Sequence, residues 1–137
     1  MTPDQLFEAA RSAAAHAYAP YSRFPVGAAL RLTDGTVVTG SNVENASYGL
    51  SLCAEAVALA KAANAGRLAE VSEVAVVGLA VRGALTPCGR CRQMLNEAAA
   101  LGGRDITVHV EDADGRREVL KLSDLLPRAF GPAALDR

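Results

Sequence analysis

Cys53-Ala54-Glu55 and, after an apolar segment, Pro87-Cys88-Gly89-Arg90-Cys91 decide the fold, because each stretch predicts the start of a helix. Cys88 and Cys91 are three positions apart, so on one helical turn their sulfurs share a face and can chelate one ion. Cys53, at the start of the other helix, would complete a triangle of thiolates. The two predicted helix starts would then meet at one point of the molecule.

Three thiolates are one ligand short of a closed structural zinc site, so the predicted metal keeps a position for water. Glu55 lies close to Cys53 in the sequence, and an open zinc beside a carboxylic acid is typical of a hydrolytic site. Zinc itself is inferred from the sulfur ligands and the hydrolytic chemistry. The alternative is a closed structural site with His16 or His109 as the fourth ligand, which is the commoner use of a CxxC pair. The position of Glu55 favours the open site.

The charge of the predicted site requires a nearby cation. Three thiolates around Zn²⁺ leave a formal charge of −1, which weakens the Lewis acidity that the metal needs. Arg90 and Arg92 are the two candidates, because arginine stays charged and donates several hydrogen bonds. We favour Arg90, which lies between the two cysteines of the pair. The helix starts are also expected to lower the cysteine pKa values through their positive dipole ends.

The spacing of Cys53 and Glu55 sets a condition on the structure. Residues two apart on a regular helix point to nearly opposite sides. Both side chains can reach one pocket only if Cys53 lies at the edge of the helix, where the chain direction is still changing. We therefore predict a cysteine at the helix boundary.

Composition limits the classes of protein. With 137 residues, half of them apolar, the chain is the size of one domain, residues 1–137. Its 14 basic and 15 acidic residues give a formal charge of −1 without a basic face, so we expect no nucleic-acid partner. No apolar run has membrane-spanning length, and residues 1–8 lack the positive charge of a signal peptide. An odd number of cysteines suits metal ligation in the reducing cytoplasm.

The hydrophobic pattern predicts alternating helices and strands. In chain order these are a helix over residues 3–17, strands over 26–32 and 36–40, a helix over 51–65, a strand over 73–81, a helix from 87 to about 102, strands over 106–110 and 117–122, and a short helical turn at 123–126. Thr86 resembles the N-cap and Pro87 the first residue of the third helix. The order predicts an α/β fold, a three-layer α-β-α sandwich with a mixed five-stranded sheet.

Taken together, these residues resemble the cytidine deaminases of the small, three-cysteine, homotetrameric type, whose zinc signature has a Cys or His, a nearby non-ligating Glu and a later P-C-x-x-C. The resemblance extends over nearly the whole chain. It is carried by Phe24-Pro25-Val26-Gly27-Ala28-Ala29-Leu30, Asn42-Val43-Glu44-Asn45-Ala46-Ser47-Tyr48-Gly49, residues 87–93 and Leu125-Leu126-Pro127-Arg128-Ala129-Phe130.

The resemblance implies one zinc per chain and hydrolytic removal of the 4-amino group of cytidine and 2′-deoxycytidine, a step of pyrimidine salvage. Glu55 would take a proton from the attacking water, pass it to ring N3 and later protonate the departing amine. Asn42 and Glu44 would bind the ribose hydroxyls, while Phe24 packs on the base and Ala54 contributes to substrate binding.

The resemblance also implies assembly into a homotetramer. Tyr48 and Phe130 would enter a neighbouring subunit's pocket, so that a monomer would be nearly inactive. Many relatives place Arg directly after the catalytic Glu, where this chain has Ala56, and Arg90 would replace that missing cation.

Two alternatives stay open. Gly89-Arg90 is also similar to blasticidin-type deaminases, so another aminopyrimidine nucleoside or a nucleoside antibiotic is the second candidate substrate. The other alternative is a zinc-stabilised binding module without catalysis.

Overall fold

The computed structural model describes residues 2–80, 83–112 and 114–135. They form four α-helices and five strands: α1 (Pro3–Ala14), β1 (Val26–Leu32), β2 (Val37–Ser41), α2 (Ala54–Asn64), β3 (Val71–Gly78), α3 (Gly89–Gly102), β4 (Thr107–Glu111), β5 (Arg117–Lys121) and α4 (Leu122–Leu125). Short 3₁₀ turns occupy Tyr48–Leu50, Leu68–Glu70 and Pro132–Leu135. None of the described helices is both long enough and apolar enough to span a bilayer.

The five strands form one mixed sheet in the order β2-β1-β3-β4-β5. β1 runs antiparallel to both β2 and β3, β3 and β4 are parallel, and β5 returns antiparallel to β4. The parallel pair is joined through α3, as a parallel connection requires a crossover. The predicted mixed five-stranded sheet is confirmed.

The two faces of the sheet bury different helices. On one face Leu30, Val74 and Val108 belong to a core shared with residues of α2 and α3. On the other face Ala29 and Ala75 belong to a smaller core with Leu6, Phe7 and Ala10 of α1. Alternate strand residues point to opposite faces, so the neighbouring pair Leu30 and Ala29 serves both layers. The predicted three-layer sandwich is confirmed.

The start of α1 follows its sequence signal. Thr2 Oγ1 accepts a hydrogen bond from the Gln5 amide, and Gln5 Oε1 accepts one from the Thr2 amide at 2.9 Å, which completes a capping box. The helix ends at Ala14, earlier than the predicted residue 17. After it the His16 and Ala17 amides donate to the carbonyls three residues back, and the Tyr18 amide donates to the Asn42 carbonyl.

The predicted starts of α2 and α3 were wrong by two or three residues. α2 begins at Ala54 and α3 at Gly89, with Cys53 and Cys88 as the two N-caps. Thr86 does not cap α3, because its hydroxyl accepts a hydrogen bond from the Arg92 side chain. The predicted strand over residues 73–81 is shifted to Val71–Gly78, and position 81 lies outside the described residues.

Gly40 on β2 allows α2 to pack closely on the sheet. A Cβ atom at this position would lie 2.5 Å from the Ala54 carbonyl oxygen and 2.6 Å from the Ala58 amide nitrogen. The absence of a side chain at Gly40 therefore sets the position of the start of α2 relative to the sheet.

Candidate metal centre and adjoining pocket

The three cysteines of the sequence come together at the starts of α2 and α3. Their sulfur atoms all lie within 4.8 Å of one another, and Cys53 Sγ is 3.8 Å from Cys88 Sγ. Tetrahedral zinc with Zn–S bonds of about 2.3 Å places its sulfurs roughly 3.8 Å apart, so the triangle fits one zinc ion. Among the described residues, no other group of three or more Cys, His, Asp or Glu side chains has this geometry.

Neither histidine closes the site. His109 is buried on β4, where its Nε2 lies 2.8 Å from Glu73 Oε1, and His16 is exposed after the end of α1. The described residues therefore provide three sulfur ligands and no fourth side chain. This argues for an open site rather than a closed structural one.

Helix boundaries place the ligands. Cys53 and Cys88 have extended backbones, with ψ of 156° and 167°, and each precedes the first residue of its helix. Cys91 is the third residue of α3 and is buried, whereas Cys88 is exposed. Because Cys53 lies outside the regular helix, the opposite-sides restriction does not apply to Cys53 and Glu55. The predicted position of Cys53 at the helix edge is confirmed.

The thiol pKa values of the metal-free chain depart from the sequence expectation. Burial raises the pKa of Cys53 and of Cys91, and for Cys91 the Glu55 carboxylate raises it further. Burial also acts on Cys88, but hydrogen bonds with the Cys91 backbone amide and with the Cys91 and Cys53 thiols together outweigh it, and the pKa of Cys88 is lowered. Only one of the three thiols therefore has the lowered pKa that the helix starts were expected to produce. Metal binding has to displace the thiol protons of Cys53 and Cys91 against their raised pKa values.

Glu55 is the buried carboxyl group of the site. It is only 4% exposed, and burial raises the pKa of its carboxyl above the ordinary value. A raised pKa moves a carboxyl group toward the range in which it can both accept and return a proton.

A cavity of about 380 Å³ opens beside the thiols. It is lined by Ser22, Phe24, Val26, Asn42, Glu44, Ser51, Leu52, Cys53, Ala54, Glu55, Val76, Leu85, Thr86 and Cys88. The structure thus brings five of the predicted substrate-binding and catalytic residues to one pocket with two of the thiols. A volume of this size suits a small organic molecule.

The two predicted ribose ligands also hold the loop that carries the aromatic wall. Asn42 Nδ2 donates to the Phe24 carbonyl and its Oδ1 accepts from the Val26 amide, both at 2.9 Å. Glu44 accepts from the Tyr21 and Ser22 amides at 3.0 Å and from the Ser22 hydroxyl. The Ser22 hydrogen bond is the largest cause that keeps the pKa of Glu44 below its ordinary value. Glu44 is therefore a carboxylate at neutral pH.

Tyr48 and Phe130 do not line this cavity within the chain. Tyr48 is 74% exposed and borders a second, adjoining cavity with Tyr21, Ser22 and Glu44. Phe130 is 60% exposed, although its carbonyl accepts hydrogen bonds from Gln93 and Asn96.

A family model described as "Cytidine and deoxycytidylate deaminase zinc-binding region" matches residues 1–102. This chain belongs to that deaminase family.

Three of its relatives are similar to it over nearly their whole length. A cytidine deaminase of Halalkalibacterium halodurans is 45% identical over 130 residues, covering 95% of each protein. One from Mycobacterium tuberculosis is 48% identical over 130 residues, covering 93% of this chain and 89% of that protein. The crystal structure of cytidine deaminase from Burkholderia pseudomallei superposes with a TM-score of 0.87 at 50% identity, covering 95% and 100% of the two chains. The predicted family, fold and zinc are confirmed.

Within this deaminase fold, the arginine candidates occupy different surroundings. Arg90 is exposed, and its Nη1 lies 3.4 Å from the Ser51 carbonyl, two residues before Cys53. Arg92 is half-buried and donates to backbone and hydroxyl oxygens. Ala56 is buried in α2. The charge-balancing role of Arg90 stays a prediction.

Sequence reasoning missed several lining residues of the deaminase pocket. Ser22, Val76, Leu85 and Thr86 line the cavity, and none of them was predicted to do so. Thr86 immediately precedes the Pro-Cys pair, and that proximity was the one signal that could have indicated it. Val76 and Leu85 read as ordinary core residues in the sequence.

Proposed function

We propose that residues 1–137 form one zinc-dependent domain that hydrolyses cytidine and 2′-deoxycytidine to the uracil nucleosides and ammonia. The observation that carries the proposal is the buried Glu55 carboxyl at the floor of a cavity lined by Cys53 and Cys88. Zinc held by the three cysteines supplies a nucleophile at neutral pH by lowering the pKa of water. The reaction belongs to pyrimidine salvage, and the free thiols suit the cytoplasm.

Glu55 is assigned the proton transfers. It accepts a proton from the attacking water, delivers it to N3 of the ring, and then returns the second water proton to the amine, which leaves C4 as ammonia. Burial supports this role because it raises the pKa of the carboxyl toward the working range. Glu55 accepts and releases each of the two protons, so it is back in its starting protonation state at the end of the cycle.

The charges of the pocket favour a nucleoside over a nucleotide. Its lining contains the carboxyl groups of Glu44 and Glu55 and, within the described part of the chain, no lysine or arginine. A 5′-phosphate would gain no cationic partner from this lining and would be repelled by the Glu44 carboxylate. Phe24 gives the base an apolar wall, and Ala54 lies at the start of α2 beside Glu55.

Hydrogen-bonding capacity supports sugar binding by Asn42 and Glu44. Each end of the Asn42 amide makes one hydrogen bond within the chain, so one N–H and one lone pair remain. Glu44 Oε1 accepts two amides, whereas Oε2 accepts one hydroxyl. A sugar hydroxyl can donate to Glu44 Oε2 and accept from Asn42 Nδ2.

Shared active sites are part of the proposal. We assign Tyr48 and Phe130 to the pocket of a neighbouring copy in a homotetramer. Their exposure of 74% and 60% is high for large aromatic side chains and is consistent with burial at a contact between copies. Two further exposed aromatics line the adjoining cavities, Phe24 the larger one and Tyr21 the one bordered by Tyr48.

The decisive experiment is Glu55→Gln. The amide keeps the size of the side chain but cannot carry a proton, so the decrease in ultraviolet absorbance of cytidine should slow by about 100- to 10,000-fold. Zinc content, measured by atomic emission, should stay near one per chain. Unchanged turnover would refute the proposal, and a wild-type protein that leaves cytidine unaltered would favour the binding module.

A substrate panel separates the candidates within the enzyme class. Cytidine and deoxycytidine should be converted, and cytidine monophosphate and blasticidin S should be poor substrates. Equal turnover of free cytosine and cytidine would remove the sugar-binding role of Asn42 and Glu44. Preference for blasticidin S would support the antibiotic alternative suggested by Gly89-Arg90.

A further inference from the structure

Cys88 is the metal ligand with the least support from regular structure. Cys91 lies inside α3 and is buried, and Cys53 follows Leu52, whose backbone makes two hydrogen bonds with Val43. Cys88 is exposed and follows residues 83–87, which belong to no helix or strand. The Cys88 carbonyl accepts a hydrogen bond from the Arg92 amide at 2.9 Å, which ties the backbone of Cys88 to the start of α3. The path of the chain before Cys88, which also sets the direction of its sulfur, depends on whatever fixes that segment.

Arg92 makes the hydrogen bonds that fix it. Within the described residues, every hydrogen bond that reaches residues 83–87 comes from this side chain. Nε donates to the Pro87 carbonyl at 2.7 Å, and Nη2 donates to Thr86 Oγ1 at 3.0 Å. Leu85 packs on the core and Pro87 is buried, so packing sets the depth of the segment while Arg92 orients its peptide groups.

The third donor of Arg92 connects the segment to a fixed part of the fold. Nη1 donates to the Leu125 carbonyl at 2.9 Å, at the last residue of α4. α4 is itself held in place by the buried Leu122. One guanidinium thus joins α3, the segment before Cys88 and α4, which suits arginine because its donors diverge in a rigid plane.

We propose that Arg92 is a positioning residue for the metal centre. Its guanidinium donates hydrogen bonds to neutral oxygens rather than to a sulfur or a carboxylate, so its role is geometric. It holds Cys88 Sγ where one ion can also reach Cys53 and Cys91, and it holds Thr86 as a wall of the cavity. The inference rests on the proposed function only for the identity of the metal as zinc.

Arg92→Lys and Arg92→Ala test the proposal. Lysine keeps the charge and the aliphatic stem, but its single ammonium cannot reach three separate acceptors. We expect zinc affinity, measured by competition with a chromogenic chelator, to fall by roughly 10- to 100-fold in both variants. In the Co²⁺-loaded proteins the visible bands should change in intensity, because they report the tetrahedral geometry at the metal.

Arg104→Ala is the matched control. Arg104 follows α3 and donates to the Ala69 carbonyl at 2.6 Å, a contact of the same kind at the opposite end of the helix from the thiols. This variant should keep the wild-type zinc affinity and cobalt spectrum.

The outcomes separate this inference from the proposed function. Wild-type affinity and spectrum in a folded Arg92→Lys protein would overturn the role of Arg92, as would an equal loss in Arg104→Ala. If Arg92→Ala does not fold, the lysine variant decides. A wild-type chain that binds no zinc would instead refute the proposed function, and these measurements use no nucleoside.

Discussion

The start of α1 differs from the starts of α2 and α3. Thr2 and Gln5 satisfy the first amides of α1 with two reciprocal hydrogen bonds. Cys53 and Cys88 occupy the same N-cap position in α2 and α3, yet neither side chain makes a capping hydrogen bond. Cysteine is not among the residues that favour this position.

The difference shows two uses of one helical feature. At α1 the N-terminal amides are satisfied within the chain, which stabilises the helix. At α2 and α3 the residue in the capping position is instead a metal ligand; at α3 the Cys91 amide favours the Cys88 thiolate, whereas at α2 burial raises the pKa of Cys53. The two helix starts that bind the metal therefore lack a capping side-chain hydrogen bond. Removing the cap of α1 should lower the stability of the protein, whereas introducing a capping residue at Cys88 should raise the stability of its metal-free form.

Cys88→Ser should have the largest effect. Serine is a good N-cap but a poor zinc ligand. Zinc affinity should therefore fall by more than about 100-fold, which exceeds the loss expected when a residue that only positions a ligand is replaced. The metal-free protein should become more stable, by up to about 1 kcal/mol. Chelator competition and urea unfolding of the metal-free form measure the two changes. A less stable metal-free variant would break the comparison.

Gly40→Ala should have the next largest effect, because it moves the start of α2 rather than its cap. The added methyl group would collide with the backbone of Ala54 and Ala58. We expect the free energy of unfolding to fall by about 2 kcal/mol. Zinc affinity should fall as well, since Cys53 directly precedes Ala54. Unchanged urea midpoints would show that α2 can shift without cost.

Glu73→Gln sharpens the comparison by lowering stability on the α1 face of the sheet, away from the thiols. Burial raises the pKa of Glu73, but hydrogen bonds with His109 and Arg31 outweigh it and hold the pKa below its ordinary value. Because the folded pKa is the lower one, this stabilisation is present at neutral pH and is lost as the pH falls through that value. Removing the carboxylate should cost roughly 2 kcal/mol at pH 7.

Urea unfolding of wild-type and Glu73→Gln proteins at several pH values tests this. The difference in stability should shrink below the ordinary glutamate pKa of about 4.3. Zinc affinity at pH 7 should not change. A loss of zinc affinity here would mean that stability alone explains the effects at the helix starts.

Thr2→Ala should have the smallest effect. It removes the capping hydrogen bond of α1 and should lower the free energy of unfolding by about 1 kcal/mol, with no change in zinc affinity. Thermal unfolding of the metal-loaded protein provides the measurement. If the stability of this variant equals that of the wild type, the capping box contributes nothing and the start of α1 does not differ in stability from the starts of α2 and α3.

The same contrast explains what could be predicted from the sequence. Thr2-Pro3-Asp4-Gln5 is the pattern of a capping box and Asp34-Gly35 that of a turn; both are local signals, and the structure has a capping box at Thr2 and a φ of 90° at Gly35. The starts of α2 and α3 were misplaced because cysteine carries no capping signal, whereas Thr86-Pro87 imitates one. The Thr86 hydroxyl is used by Arg92, a contact that no local pattern specifies.

The parts of the site that could be predicted are those whose residue types and spacing in the sequence indicate metal binding and acid–base chemistry. Cys53, Glu55 and the CxxC pair follow from their positions in the sequence, and the structure brings their side chains together. Ser22 and Leu85 could not be found in this way, because they reach the cavity through loops whose paths depend on distant hydrogen bonds and packing. The hydrogen bonds by which Asn42 and Glu44 also hold the loop before β1 could not be predicted from the sequence either.

The 3.8 Å separation of Cys53 and Cys88 sulfurs has a consequence for handling the protein. Two free thiols this close need only a small movement to reach the disulfide bond length of about 2.05 Å. Bound zinc therefore protects them from air oxidation. Once a chelator has stripped the metal, a reductant is needed to keep the starts of α2 and α3 from becoming covalently cross-linked and unable to be reloaded.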